Sequence, residues 1–301
     1  MKIMIVGLCH VVGMGETLRR LLPGAEVTAL HVRNATDGLA GIAAAAAAAD
    51  LTITQAVPSH GVAALEPERL REAGARRLFF VPPFVFEGYQ PDAAVLATAA
   101  AMVDSPVTAF NSQILAAAFC LGLPVGRATG LFNYFVYRKL GYDRAFAEGR
   151  RFLIDEFEAA GFLGIASAFD DWTREGSFMH TPNHPKIRVL ASIATDIAIR
   201  AGLVPAGTTP PADVPDVLDD QNGWPVYPEI AARIGCAGGM TFRRYRRDLT
   251  EAERHLDLAT FAERSYALFA AFGAEKLRTI PRVAETMAVL DGLLVRRPAA
   301  A

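Results

Sequence analysis

Four short β-branched or apolar runs separated by helix-length stretches fill the first 81 residues, and this alternation constrains the fold more than any other feature. Lys2–Val6 stops at Gly7, Gly15–Leu22 reads as helix, and Glu26–Leu30 is a second strand. Thr36–Ala49 is a helix with Thr36 or Asp37 as N-cap, and Leu51–Gln55 is a third strand. Pro67–Ala73 is helical, and Arg77–Val81 is a fourth strand ending at Pro82-Pro83. Strands spaced this way pair in parallel, because each parallel pair needs a crossover of a dozen residues or more. The expected class is α/β, with an open, doubly wound, Rossmann-like parallel sheet at the N-terminus. In such sheets ligands sit beyond the carboxyl ends of the strands.

Beyond about residue 104 the texture becomes mainly helical. The expected division is an α/β core over 1–104 and a large helical part over 105–301 packed on it as one compact unit. Ala93–Val103 reads as a helix, as does Asp143–Ala160 with Asp143 as N-cap. Lys186–Arg200 is amphipathic and closes at Gly202. Residues 204–228 hold Pro205, Pro210, Pro211, Pro215, Pro225 and Pro228, the composition of a binding loop or lid. Thr250-Glu251-Ala252-Glu253 is a capping-box signature for a helix through Phe269, and Arg282–Leu294 is a last helix before a tail expected to fray.

Composition removes several functions. A net charge of −2 gives no electrostatic footprint for nucleic acid or an anionic membrane. The apolar runs Ile42–Ala49, Ala93–Val103 and Ile114–Val125 fall short of the roughly 18 residues a membrane span needs. Three scattered cysteines, Cys9, Cys120 and Cys236, form neither a disulfide framework nor a metal site, so no metal is expected. No targeting segment is recognised, and the expected location is a reducing cytoplasm. Homo-oligomerisation stays open.

Five segments carry candidate chemistry. Gly7-Leu8-Cys9-His10 joins the first strand to the first helix, where backbone donors and the helix dipole lower a thiol pKa. Its alternative is a small cysteine packed under a turn. Met179-His180-Thr181-Pro182-Asn183-His184-Pro185 holds His184 between prolines, and an imidazole titrating near neutrality is the usual general base. Its alternative is a loop histidine capping the next helix. A cysteine and a sequence-distant histidine are the minimum set for nucleophilic acyl chemistry. Gln55, ending the third strand, is a candidate oxyanion donor or a loop brace. Asn111 and Ser112 are candidate ligand contacts or ordinary N-caps. Arg243-Arg244-Tyr245-Arg246-Arg247 suits a phosphate-rich cofactor or a solvated basic face.

Taken together the segments resemble the WcbI-type family of capsular polysaccharide biosynthesis proteins. That family opens with a strand and Gly-Asn-Cys-Gln; here the stretch is Gly7-Leu8-Cys9-His10, which keeps Gly and Cys and changes both amides. Further similar stretches are Ala49–Gln55, Gly88-Tyr89-Gln90-Pro91-Asp92, Phe110–Ile114, Leu131–Tyr134, Leu140-Gly141-Tyr142, Asn183-His184-Pro185-Lys186 and Pro225–Ile230. They cover about residues 1–235 in order. The resemblance implies an α/β core laid out like SGNH-type hydrolases, binding of coenzyme A or acetyl-CoA, and O-acetylation of a sugar in a surface polysaccharide.

The expected function is therefore an acetyl-CoA-dependent O-acyltransferase acting on a carbohydrate hydroxyl. Cys9 attacks the thioester or lines the reacting centre, and His184 is the general base, activating the sugar directly if no covalent intermediate forms. Asn183 orients His184 or the ligand, and Gln55 and Ser112 hold the oxyanion. His10, Asn111, Lys186, Arg243 and Arg244 are the remaining expected binding residues. The rivals are an SGNH-like esterase, a non-catalytic CoA- or glycan-binding protein, and a nicotinamide enzyme. The last is disfavoured because Cys9 occupies the second glycine position of the dinucleotide turn.

Overall fold

The computed structural model describes residues 1–34, 38–55, 65–107, 109–219, 222–244 and 248–295. The described residues fall into two compact units, each assembled from separate stretches of chain. The first comprises Met1–Val85, Arg151–Met179 and Asn183–Asp219; the second comprises Phe86–Arg150, His180–Pro182 and Asp220–Ala301.

The first unit holds the expected parallel sheet. Strands β1 (Lys2–Gly7), β2 (Glu26–His31), β3 (Leu51–Thr54) and β4 (Leu78–Phe80) line up in the order β2-β1-β3-β4, all parallel. The intervening helices are α1 (His10–Leu21), α2 (Gly38–Ala48) and α3 (Pro67–Glu72). The proposed N-caps Thr36 and Asp37 lie outside the described residues. β1 is buried on both faces, as a central parallel strand must be. Met4 and Val6 pack against Ile42, Ala46, Leu65 and Leu70. Val11, Met14 and Leu18 of α1 are buried, as are Val189, Leu190, Ile193 and Ile197 of the helix Ile187–Arg200. A Cβ on Gly13 would stand 2.6 Å from the Leu190 side chain, so α1 and that helix approach this closely only because residue 13 has none.

Successive strands run to either side of β1: β2 pairs with it on one edge and β3 on the other. The order therefore reverses between β1 and β3, and the carboxyl ends of those two strands frame the crevice where doubly wound sheets bind ligands.

The second unit departs from the sequence expectation at Ala93–Val103. Ala93–Val95 is a strand (β5) paired antiparallel with Phe110–Ser112 (β6), with Ala93 opposite Ser112, and a further bridge joins Ala97 to Met102. Alanine's helix preference is weak enough for tertiary pairing to override it, and the buried Asp92 carboxylate secures the hairpin by accepting from the Ile114 amide at 2.9 Å. The Thr250 capping box forms with both its hydrogen bonds, yet its helix covers only Glu251–Arg254. His255–Leu256 instead pairs with Phe242–Arg243, and a new helix, Leu258–Phe272, starts on an Asp257 cap. The last helix is Pro281–Val295, and the tail beyond it lies outside the described residues. Within 204–219 the expected loop carries buried anchors at Val214 and Leu218. Among the described residues, no helix is long and apolar enough to cross a membrane.

Candidate active site

β1 ends at Gly7, and Cys9 follows as the N-cap residue of α1, with helical backbone angles and no side-chain cap. Helix α1 thus begins at His10, earlier than the periodicity predicts. This places the thiol at the carboxyl edge of the sheet, at the reversal of strand order. Its sulfur lies 3.5 Å from Nε2 of His184, a residue 175 positions away in the chain. Both side chains are half-buried.

The thiol differs from the sequence expectation in its acidity. Burial pushes the Cys9 pKa above its ordinary value; its own backbone amide and the Arg33 guanidinium pull the other way without prevailing. A thiol half removed from water resists ionisation more than the helix N-terminus favours it. The resting sulfur is protonated, and the imidazole beside it is the group placed to take that proton.

Beneath this pair lies a buried chain of hydrogen bonds. Nε2 of His10 is 2.8 Å from the Asn183 carbonyl oxygen. Nδ1 of His10 is 3.0 Å from Nε2 of Gln55, whose amide also donates to the Pro82 carbonyl at 3.3 Å. His10 and Gln55 are almost wholly buried, and burial lowers the His10 pKa, so the ring is neutral. With both amide hydrogens engaged in the scaffold, Gln55 has none left for an oxyanion.

The other expected binding residues are distributed as follows. Lys186 caps the helix Ile187–Arg200 through extended backbone, and its amide donates to the Phe178 carbonyl at 2.8 Å. Asn111 and Ser112 belong to the second unit. Asn111 donates to the Val103 carbonyl at 3.1 Å, and the Ser112 hydroxyl accepts from the Leu115 amide as the N-cap of Gln113–Cys120. Arg243 and Arg244 are also in the second unit. Arg243 exchanges backbone hydrogen bonds with Gly223, and the Arg244 guanidinium donates to the Glu253 carbonyl at 2.8 Å. Tyr245, Arg246 and Arg247 lie outside the described residues.

Sequence reasoning passed over two groups. Arg33 follows β2 by two residues, as Cys9 follows β1, and the parallel register of Gly7 with His31 brings its charge to bear on the thiol. The signal was its distance past a strand end. In the sequence Asp92 stands only as the end of the family-like stretch Gly88–Asp92. It is a buried carboxylate that accepts from the Tyr142 hydroxyl at 3.1 Å and the Tyr227 hydroxyl at 2.7 Å. Among the described residues, no cluster of three or more His, Cys, Asp or Glu side chains could hold a metal ion.

A parallel α/β sheet with a thiol and an imidazole in contact at its switch point defines an α/β protein equipped for cysteine–histidine chemistry. The chain belongs to the family of the polysaccharide biosynthesis enzyme WcbI, whose model matches residues 2–206 and so spans both Cys9 and His184. A solved structure with the same fold is described as WcbI, a novel polysaccharide biosynthesis enzyme, in a native form without a disulfide bond between coenzyme A and a cysteine of that protein. It is 15% identical, covers 98% of each chain and superposes with a TM-score of 0.64. Among curated proteins none matches this chain.

Proposed function

We propose that this protein transfers an acyl group from a coenzyme A thioester, acetyl-CoA in the simplest case, to a sugar hydroxyl during polysaccharide biosynthesis. The observation that carries the reading is the contact of Cys9 with His184 across the whole family-matched segment. Membership of a polysaccharide biosynthesis family supports a carbohydrate acceptor. The description of the related structure, which names coenzyme A together with a cysteine of that protein, supports the donor.

His184 takes the Cys9 proton as the sulfur attacks the thioester carbonyl. The carbon–sulfur bond to coenzyme A breaks, and the departing thiolate recovers the proton from the imidazolium. The acyl group now sits on Cys9. His184 then accepts the proton of the sugar hydroxyl, whose oxygen attacks the acyl carbon. The Cys9 sulfur leaves and is reprotonated by the imidazolium, giving the sugar ester. Each half-reaction uses the imidazole first as base and then as acid. The raised thiol pKa suits this sequence, because a protonated sulfur needs a base only when an acyl donor is present. Acetyl-CoA supply and an unoxidised Cys9 both fit a cytoplasmic setting.

The test measures release of coenzyme A from acetyl-CoA with and without a panel of sugar acceptors. Acceptor-dependent release that disappears in both Cys9→Ala and His184→Ala is the expected result. Full activity in both variants would sink the reading. Release that ignores the acceptor, with turnover of simple esters, would make the protein a hydrolase.

A further inference from the structure

We propose that His10 is a positioning residue: as its Nε2–H tautomer it grips the Asn183 carbonyl and thereby holds the His184 imidazole on the Cys9 thiol. The tautomer follows from hydrogen-bond accounting. A carbonyl oxygen only accepts, so the 2.8 Å contact to Asn183 requires the proton on Nε2. Nδ1 is then the acceptor, and Gln55 supplies the donor at 3.0 Å. The second hydrogen of that amide goes to the Pro82 carbonyl, so every N–H in the chain has an acceptor. The alternative, an imidazolium donating to Gln55 Oε1 at 3.2 Å, would bury a charge with only amide oxygens facing it.

The geometry shows what this chain of bonds acts on. Cys9 and His10 are consecutive, and so are Asn183 and His184. One turn of backbone at the start of α1 therefore meets the loop at two points, sulfur to imidazole and imidazole to carbonyl. A hydrogen bond to the carbonyl just before His184 fixes the peptide from which that side chain projects, and Pro185 restricts the backbone on its other side. Among the described residues, Arg33 is the charged group whose field acts on the Cys9 thiol. The role falls to positions 10 and 55, which were expected to touch ligand and instead brace the base.

This inference rests on His184 serving as the base for Cys9, and the experiment reads that pairing with no acyl donor present. Alkylation of Cys9 in the full-length chain by iodoacetamide is followed by peptide mass spectrometry as a function of pH. His184→Ala moves the profile to higher pH, because the imidazole that takes the thiol proton is gone. His10→Leu moves it most of the way to the same place, with about a tenfold slower reaction at neutral pH. His10→Gln, which keeps one donor for the Asn183 carbonyl and one acceptor for Gln55, restores the wild-type profile. The double variant His10→Leu/His184→Ala matches His184→Ala alone.

A wild-type profile for His10→Leu, with His184→Ala shifted, overturns the positioning role and leaves the pairing intact. A further shift in the double variant overturns it too, since His10 would then act on Cys9 by another route. An unshifted His184→Ala profile overturns both the pairing and this inference. Should His10→Leu fail to fold, Gln55→Met removes the donor to Nδ1 and is read in the same way. The imidazole nitrogen-15 spectrum of the wild type supplies an independent check: His10 is the Nε2–H form at neutral pH, and an Nδ1–H or protonated ring there overturns the assignment.

Discussion

A Cβ on Gly7 would stand 2.8 Å from the Cβ of Gln55 and 3.1 Å from Val11. The last residue of β1 is thus a glycine so that the chain just past β3 can close on it and bring the Gln55 amide under His10. Gly7→Ala inserts a methyl group into that gap, and overpacking of a buried site costs about 1–3 kcal/mol. The expected outcome is a lower urea midpoint of that order together with slower Cys9 alkylation at neutral pH. An alanine variant with wild-type stability and reactivity would show that the β1–β3 edge has slack.

Acid should expose the buried imidazole. Burial depresses the folded-state pKa of His10 below its unfolded value. The stability linked to keeping this ring neutral is fully present above the unfolded pKa and is lost as pH falls through the folded one. Protonating Nδ1 would also turn two donors against each other at the 3.0 Å contact with Gln55. Urea midpoints measured at neutral pH and at about pH 5 should fall more for wild type than for His10→Gln, whose amide does not titrate. Equal losses in the two proteins would place the acid sensitivity elsewhere.

In the second unit, Asp92 makes the opposite case. Its pKa is raised by burial, even though the Ser112 hydroxyl, the Ile114 amide and the Tyr227 and Tyr142 hydroxyls all favour the ionised form. A carboxyl shifted upward is most stabilising when protonated, so its contribution is present below the unfolded pKa and is lost as pH rises through the folded one. Asp92→Asn keeps the acceptor for Ile114 and Tyr142, and the Tyr227 hydroxyl rotates to accept. Its stability should equal or exceed wild type at neutral pH, the gap narrowing toward the ordinary carboxylate range. Asp92→Ala leaves several buried donors unpartnered at about 1–3 kcal/mol each, and its urea midpoint should fall accordingly. A mild alanine variant would mean that water replaces the carboxylate.

These residues also mark how far sequence reading reaches. The order of strands and helices through Phe80 was legible because each parallel strand is a compact apolar run between polar or glycine breaks. The Cys9–His184 encounter followed from the chemistry of the two residue types and from the strand end that carries Cys9. The antiparallel pairing of Ala93–Val95 was not legible, since its partner lies beyond an intervening loop and alanine signals helix. Nor was the acidity of Cys9: a motif shows the helix N-terminus that lowers a thiol pKa, while the burial that raises it depends on packing from distant segments. Gln55 looked like an oxyanion donor because the free amide is visible in sequence and its partners, His10 and the Pro82 carbonyl, are not. Neither unit is a continuous stretch of chain, and a composition change along the sequence carries no trace of such interleaving.

Arg33 supplies a prediction that separates charge from packing at the thiol. Its guanidinium lowers the Cys9 pKa through space, against the larger effect of burial. The Arg33 side chain is exposed, so its field is screened by salt. Arg33→Gln should therefore move the Cys9 alkylation profile to higher pH at low ionic strength, and by less near 1 M salt, where the Debye length is about 3 Å. Its urea midpoint should stay at the wild-type value, because an exposed charge contributes little to stability. If acyl transfer from coenzyme A proceeds as proposed, the same variant should raise KM for the acyl donor more than it lowers kcat, since a cation at this strand end meets an anionic donor before the chemistry begins. A profile that shifts equally at low and high salt would mean that Arg33 acts by shaping the pocket and not by its charge.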